Sequence, residues 1–383
     1  MNVARTLPVV LDARVLSGSG GGPDKTLINS PAYLQRDGYV MHCAYLCDPA
    51  DTGFHKLQAK ASQKQVELIP VHDRGPLDWQ IIPRMLEVCK SHCVTVWHGH
   101  DYKSNLLGLI LKRFWPMRLV TTLHGWVHHT SRTPIYYMID RLTLRYYEKV
   151  ICVSDDLMVA ARQAGVAPSR LVLLENGIDL NDYRRQRTPA EARQAMGFSP
   201  HFTVGAAGRL SPEKGFDILI KAVDQLHRAG LHNLQLLIAG EGDEQANLQR
   251  LIDGCLLPQQ IQLLGYRSDL LNLYETFDLY ALSSYREGLP NVVLEALAMQ
   301  VPVIATAVNG IPKLIQHESN GILIPPGEIS ALAESIRRLV HDDSLRVQLA
   351  QAGRKTVESR YSFARRMQKL AQIYDAMFQG EWK

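Results

Sequence analysis

The residues best placed to do chemistry lie in one stretch of the second half, Tyr285-Arg-Glu-Gly-Leu-Pro-Asn-Val-Val-Leu-Glu-Ala-Leu-Ala298. The apolar run Leu279 to Leu282 reads as a buried strand, and Pro290 stands where proline suits the first position of a helix. The orphan N–H groups of Asn291, Val292 and Val293 then face the strand's carboxyl end, where partial positive charge favours a phosphate-sized anion. Glu287 and Glu295 bracket that point. Carboxylates repel phosphate but accept bonds from hydroxyls, so a ligand carrying both phosphates and sugar hydroxyls suits the whole stretch. The same two glutamates also fit a plainer role, as a solvated cap and an exposed helix residue.

A second set lies upstream. The strand Phe202 to Ala207 runs into Gly205-Ala-Ala-Gly-Arg-Leu-Ser-Pro-Glu-Lys-Gly215, which puts Arg209 and Lys214 on a loop at the sheet's carboxyl edge. Two cations five residues apart can converge on one diphosphate, arginine gripping two oxygens and lysine acting as a point charge; otherwise they are two surface cations. In the first half, Trp97-His-Gly-His-Asp101 follows a strand, and His98, His100 and Asp101 are candidates to line an acceptor pocket or act as a base. His128 and His129 read as polar loop residues. No ligand spacing supports a metal at the histidines, and the three-residue gaps Cys43/Cys47 and Cys89/Cys93 give little support for zinc, Cys43 and Cys47 being on a predicted strand.

These positions need a scaffold that gathers strand ends. The first half predicts strands at 8–16, 40–46, 66–70, 94–97, 119–123, 150–153 and 171–174, with helical patterns between most of them. The first helix runs from Asp24 to about Asp37 and is stopped by Gly38. After a polar linker at 180–200 with one short helix, strands at 202–207, 234–239, 261–264, 279–282, 301–305 and 321–324 repeat the alternation. Short apolar runs alternating with helices mean parallel sheets covered on both faces. The expectation is two doubly wound Rossmann-like α/β domains facing each other across a cleft: 1–182, 183–361, and a terminal segment 362–383 packing back on the sheets.

Length and composition agree. The chain has 383 residues, 46% of them hydrophobic, and a formal charge of +4, which fits a two-domain soluble protein. No leader pattern precedes the first strand and no run of 18 apolar residues occurs, so the expected location is cytoplasmic. The six cysteines lie mostly in apolar patterns and read as reduced. Basic excess concentrates in residues 103–149, with eight Lys and Arg against two acidic residues, including 112–118 and the Tyr/Arg-rich run 136–147. Cations interleaved with aromatics suit an anionic membrane surface or a lipid-linked partner, peripherally held at the inner membrane face; the same pattern fits an ordinary solvated helix. No nucleic-acid motif accompanies it.

Eight motifs in order carry a resemblance: the Gly-rich first loop, Thr122-Leu-His-Gly125, Val153-Ser-Asp155, Glu175-Asn-Gly-Ile-Asp179, Gly208 to Gly215, Ala239-Gly-Glu-Gly242, Leu264-Gly265 and Glu287 to Glu295. Together they resemble glycosyltransferase family 4, retaining nucleotide-sugar enzymes of the two-Rossmann GT-B architecture with a paired-glutamate signature, over nearly the whole chain. The resemblance implies that Arg209 and Lys214 bind the donor diphosphate and Glu295 holds the ribose. It places Glu287 beside the transferred sugar, with the backbone of Gly288, Leu289, Pro290, Asn291 and Val292 near sugar and phosphate. It sets His124 facing the donor sugar, Gly265, Tyr266 and Arg267 near the base, and Gly21 and Gly22 near the phosphates. Asp24 stands where many relatives have glutamate, with an extra glycine before the pair.

The implied activity is transfer of a sugar from a UDP- or GDP-sugar to a glycan or lipid-linked acceptor, with retention, in bacterial exopolysaccharide or lipopolysaccharide assembly. No metal or other cofactor is expected, because two cations already neutralise the diphosphate. The alternatives are a nucleotide-sugar epimerase or a non-catalytic nucleotide-sugar-binding protein. A dinucleotide fingerprint at Gly18-Ser-Gly-Gly-Gly fails at its sixth position, where Pro23 stands.

Overall fold

The computed structural model describes residues 7–16, 18, 20–75, 78–125 and 133–378, the side chains of 133–135 excepted. His128 and His129 lie outside the described residues. Contacts divide the chain into two units, one from the amino terminus to Glu175 plus Ala364 onward, the other Asn176–Phe363.

The first unit holds β1 (Val9–Val15), β2 (Val40–Cys47), β3 (Leu68–His72), β4 (Val96–Gly99), β5 (Arg118–Leu123), β6 (Lys149–Cys152) and β7 (Leu171–Leu173). They form a sheet in the order β3-β2-β1-β4-β5-β6-β7. The second unit holds β8 (Phe202–Ala207), β9 (Leu234–Ala239), β10 (Ile261–Leu263), β11 (Leu279–Leu282), β12 (Val303–Thr306) and β13 (Ile322–Ile324), in the order β10-β9-β8-β11-β12-β13. Every pairing is parallel. In each sheet the order reverses beside the first strand, between β1 and β4 and between β8 and β11. Such switch points open a crevice at the strands' carboxyl ends, where ligands bind.

Most boundaries shift by a residue or two from expectation, β3 and β12 among them, and three of the differences have a visible cause. Strand β4 runs through His98 and Gly99 because its register with β1 pairs Asp12 with His98 and Ala13 with Gly99; the ladder outlasts the apolar run. The first helix is α-helical only over Gly22–Leu34, carries Pro31 inside it, and tightens into a 3₁₀ turn at Gln35–Asp37 before Gly38 stops it at φ 84°. Pro290 is extended (φ −73°, ψ 123°) and caps a helix that starts at Asn291, one residue later than expected. The Val293 N–H also bonds the Pro290 carbonyl at 3.1 Å, so the open donors at this end are Asn291 and Val292.

The linker is less free than its polarity implies. Arg185 donates to the carbonyls of Tyr274, Glu275, Phe277 and Met299, and Arg187 pairs with Glu275 at 2.7 Å. Beyond the second unit, the helix Phe363–Phe378 returns to the first: Tyr39 donates to Asp375 at 2.6 Å and its ring lies 5.4 Å from that of Tyr374.

Beneath the first sheet, Trp97 is fully buried against the helix Tyr102–Leu111. Its indole donates to the Ser104 carbonyl, and Tyr147 donates to that of Asn105. Gly108 makes this possible, since a Cβ there would lie 2.5 Å from the indole nitrogen and 2.7 Å from the Tyr147 oxygen. Gly108→Ala is expected to destabilise the first unit by about 1–3 kcal/mol, read as a lower urea midpoint with unchanged slope.

Candidate active site

In the second unit, the turns after β8 and β11 are stitched together. The Tyr285 N–H donates to the Glu213 carbonyl at 2.8 Å and the Ser283 hydroxyl to that of Lys214 at 3.1 Å. Gly215, in the left-handed region at φ 60°, lets them touch, because a Cβ there would lie 2.3 Å from the Ser283 carbonyl oxygen. Gly310 does the same for the next layer, where a Cβ would meet the Gly288 oxygen at 2.3 Å. The loop carrying Arg209 and Lys214 is thereby fixed against the segment carrying Glu287.

The four charged candidates occupy three environments. Lys214 Nζ lies 2.7 Å from Glu287 Oε1, which also accepts from the Ser284 hydroxyl at 2.6 Å. Arg209 is half exposed and pairs with Glu213 at 2.8 Å, a surface contact worth less than about 1 kcal/mol and readily exchanged for another anion. Glu295 is buried, with Oε1 accepting from Tyr183 and Oε2 from Tyr274, each at 2.9 Å. Two donors on its two oxygens orient Glu295 rigidly. Tyr266 is exposed, Gly265 is left-handed at φ 65°, and Arg267 is held by Asp269 at 2.6 Å.

In the first unit, a buried cluster joins the middle of β1 to the carboxyl ends of β4 and β5. Asp12 is 2% exposed and lies 3.1 Å from His100 Nε2 and 3.2 Å from His98 Nδ1. His98 also meets Tyr374 Oη through Nδ1 and Thr122 Oγ1 through Nε2, both at 2.7 Å. His100 Nδ1 lies 3.0 Å from His124 Nε2, the two rings being stacked. Burial would raise the Asp12 carboxyl, but His100 and His98 outweigh it and hold the group well below the usual carboxylate range. Burial drives His98 down to about 4 and His124 well below its ordinary value, so both are neutral imidazoles at pH 7. Arg366, buried on the returning helix, is lowered to about 10 by burial while Asp12 and Tyr374 oppose the shift.

The first loop is tied down by Asp24, which is buried, accepts from the Gly21 N–H at 2.6 Å and from Tyr45 at 3.0 Å, and forms an ion pair with Arg14 at 3.0 Å. Gly21 caps the helix that Gly22 begins. The residue that departs from the resembled pattern is thus the loop's anchor.

A family model described as Glycosyltransferase Family 4 matches residues 20–182, and one described as Glycosyl transferases group 1 matches residues 191–356. The chain belongs to these glycosyltransferases. Among curated relatives it is 25% identical to the Staphylococcus aureus capsular polysaccharide biosynthesis glycosyltransferase CapM, over 63% of this chain and 65% of that one. It is 29% identical to an alpha-D-kanosaminyltransferase of Streptomyces kanamyceticus, over 63% and 64%, so it spans just under two thirds of the length of these two relatives. It is 23% identical to the Escherichia coli UDP-Gal:alpha-D-GlcNAc-diphosphoundecaprenol alpha-1,3-galactosyltransferase, over 78% and 79%. Among solved structures, Anabaena HepE in complex with UDP and glucose matches with a TM-score of 0.79 at 25% identity, over 96% of this chain and 99% of that one. The two parallel-sheet Rossmann-like units are those of the GT-B fold.

For this family-4 chain, the sites expected from sequence divide into two kinds. Arg209, Lys214, Glu287, Glu295, Asn291 and Val292 gather at one sheet's carboxyl edge. His98 and Asp101, candidates to line an acceptor pocket or act as a base, are held by structural bonds. His98 is 2% exposed, and Asp101 caps the helix Tyr102–Leu111, accepting from Lys103, Ser104 and Val15. His100 is buried between Asp12 and His124. The residues missed by sequence are Tyr183, Tyr274, Asp12 and Tyr374. Asp12 had a signal: a carboxylate inside an apolar strand must find partners.

The basic-aromatic stretch is also partly structural. Lys112 and Arg118 both pair with Glu148, Arg145 donates to the Ala164 carbonyl, and Trp115 donates to that of Val94. Phe114, Met138, Leu142 and Tyr146 remain exposed. No helix among the described residues is long and apolar enough to cross a membrane.

The depressed histidines set a pH dependence. Between about 6.5 and 4 the unfolded chain takes up a proton at His98 that the fold refuses, so stability falls as pH falls through that window. His42 and His227 shift in the same direction, chiefly through burial. Urea unfolding from pH 7 to 4.5 should show this slope, and His98→Gln should lower stability at pH 7 while flattening it. Equal slopes in both proteins would show that His98 titrates normally.

Proposed function

We propose that the chain transfers a sugar from a nucleotide-sugar donor, UDP-sugar before GDP-sugar, to a glycan or lipid-linked acceptor in polysaccharide or lipopolysaccharide assembly. The observation that carries this reading is the 2.7 Å pairing of Lys214 with Glu287. It brings two motifs 73 residues apart in sequence to one sheet edge, with Arg209 alongside. UDP is favoured because HepE is described with UDP and glucose, and the E. coli relative by its use of UDP-Gal. That relative's diphosphoundecaprenol acceptor also supports the lipid-linked class.

The chemistry follows from charge. Breaking the bond between sugar and diphosphate leaves positive charge at the anomeric carbon and negative charge on the departing phosphates. Arg209 and Lys214 supply fixed positive charge to the phosphates, and the Asn291 and Val292 N–H groups at a helix start add donors without reorganisation. Glu295, oriented by Tyr183 and Tyr274, accepts from the ribose hydroxyls. Glu287, which shares Lys214, takes a sugar hydroxyl as the lysine turns to phosphate. Retention of anomeric configuration is proposed on family membership, with the donor phosphate receiving the acceptor's proton. No metal is required for this charge balance.

Thermal unfolding with UDP, GDP, their sugars and NAD(H) tests the reading. A nucleotide at 100 times its dissociation constant should stabilise by about 2.7 kcal/mol, and the shift should shrink in Arg209→Ala and Glu295→Ala. Arg209→Ala should also lose about a hundredfold in transfer rate. A shift with NAD(H) alone, or nucleoside diphosphate release without an acceptor's involvement, would sink it.

We also propose peripheral contact with anionic membrane through the exposed Phe114, Met138, Leu142 and Tyr146 face, which would place the enzyme at the cytoplasmic side. Cosedimentation with vesicles rich in phosphatidylglycerol should exceed that with neutral vesicles and fall in Phe114→Ser/Tyr146→Ser. Equal recovery with both lipids, or no change in the variant, would assign the patch to the solvated surface.

A further inference from the structure

We propose that Asp12 and His100 act through His124 as a tautomer relay, which leaves Nδ1 of His124 a bare acceptor for a sugar hydroxyl. The inference rests on the proposed transfer of a sugar and names how one side chain of the first unit is prepared for it.

The argument follows the hydrogens along the chain of contacts. An ionised carboxylate only accepts, so His100 must present N–H to Asp12 through the Nε2 that lies 3.1 Å away. Asp12 is the acid of the cluster, and the buried Arg366, near enough to interact with it, supplies one balancing positive charge. With His98, His100 and His124 all neutral the cluster carries no net charge, the least costly arrangement for buried groups. In neutral His100 the other nitrogen, Nδ1, is bare and must accept. Its partner at 3.0 Å is His124 Nε2, which therefore carries the hydrogen and leaves Nδ1 of His124 without one.

His124 is the one member of the relay that is half-buried instead of buried. It follows β5 at the carboxyl edge of the sheet, beside the Gly125 turn at φ 130°. A neutral imidazole fixed in this tautomer accepts from a hydroxyl and cannot donate, so it distinguishes a hydroxyl from a bare ether or carbonyl oxygen. His98 braces the relay from the side. Its ring stacks on His100 at 4.5 Å, and its nitrogens are occupied by Thr122 and by Tyr374 from the returning helix. Asp12 and His100 are positioning residues here, and His124 is the group that meets substrate.

A competing account of the same atoms is a metal ion, since one ligand atom each from Asp12, His98 and His100 lies within 4.8 Å of the others. The relay fits better. All four ring nitrogens of His98 and His100 already face a partner at 2.7–3.1 Å, and the guanidinium of Arg366 nearby would repel a cation.

The test reads tautomers directly. Long-range ¹H–¹⁵N correlation of the histidine rings in the full-length protein at pH 7 should show His124 and His100 both protonated at Nε2 only. His124 protonated at Nδ1, or averaged between forms, overturns the relay, as does a stoichiometric metal in elemental analysis that Asp12→Asn removes. Asp12→Asn, whose amide can donate as well as accept, should mix the His124 tautomers. It should lower kcat by about tenfold to a hundredfold while the nucleotide-induced stabilisation is kept. His100→Gln should lower kcat in the native background and add nothing to His124→Ala; additive losses would mean that His100 serves packing alone. Failure of every nucleotide to bind would refute the proposed function and leave the tautomer result standing, so the two failures are distinguishable.

Discussion

A carboxylate taken out of water must be met by donors within hydrogen-bond reach, and four of the buried carboxylates among the described residues shape the candidate sites of this protein. Asp12, Asp24, Glu287 and Glu295 are each 8% exposed or less. Around Asp12 stand His98 and His100; around Asp24 the Gly21 N–H, Tyr45 and Arg14; around Glu287 Lys214 and Ser284; around Glu295 Tyr183 and Tyr274. An unmet buried carboxylate would cost several kcal/mol. Each satisfied one fixes the loop or helix start that carries it.

That constraint links stability to function in both units. At Glu295 two tyrosine hydroxyls fix the carboxylate's orientation. Where the partner is a cation, as at Glu287, charge is shared between the acid and a lysine that suits phosphate. The close packing of Gly215 on Ser283 and of Gly310 on Gly288 holds these groups still, and fixed dipoles and charges are what stabilise a separating ion pair. The first unit uses the same device without a cation in the relay itself, ending on a neutral imidazole.

Much of this was legible in the sequence. Strands β8, β9 and β11 match their expected limits residue for residue, and the Gly38 stop and the short helix in the linker stand where turn chemistry put them. The misplaced boundaries at β4 and Pro290 each have a local cause. At β4 the apolar run ends at Trp97, yet the ladder continues through His98 because Asp12 on β1 gives that imidazole a partner. At Pro290 the helix begins one residue late because proline in extended conformation serves as a cap as well as a first residue.

The sequence by itself determined the two parallel sheets and the order of motifs along them, because burial period and turn residues are local properties of the chain. It also placed Arg209, Lys214, Glu287 and Glu295 at strand ends, where a parallel sheet gathers them. Only the tertiary structure decided that His98 and Asp101 are held structurally, that Tyr183 and Tyr274 orient Glu295, and that Tyr374 and Arg366 return from the last helix to the Asp12 cluster. The hydrogen bond between Tyr374 and His98 joins residues 276 positions apart, and hydrogen-bond partners at such separation leave no periodic trace in sequence.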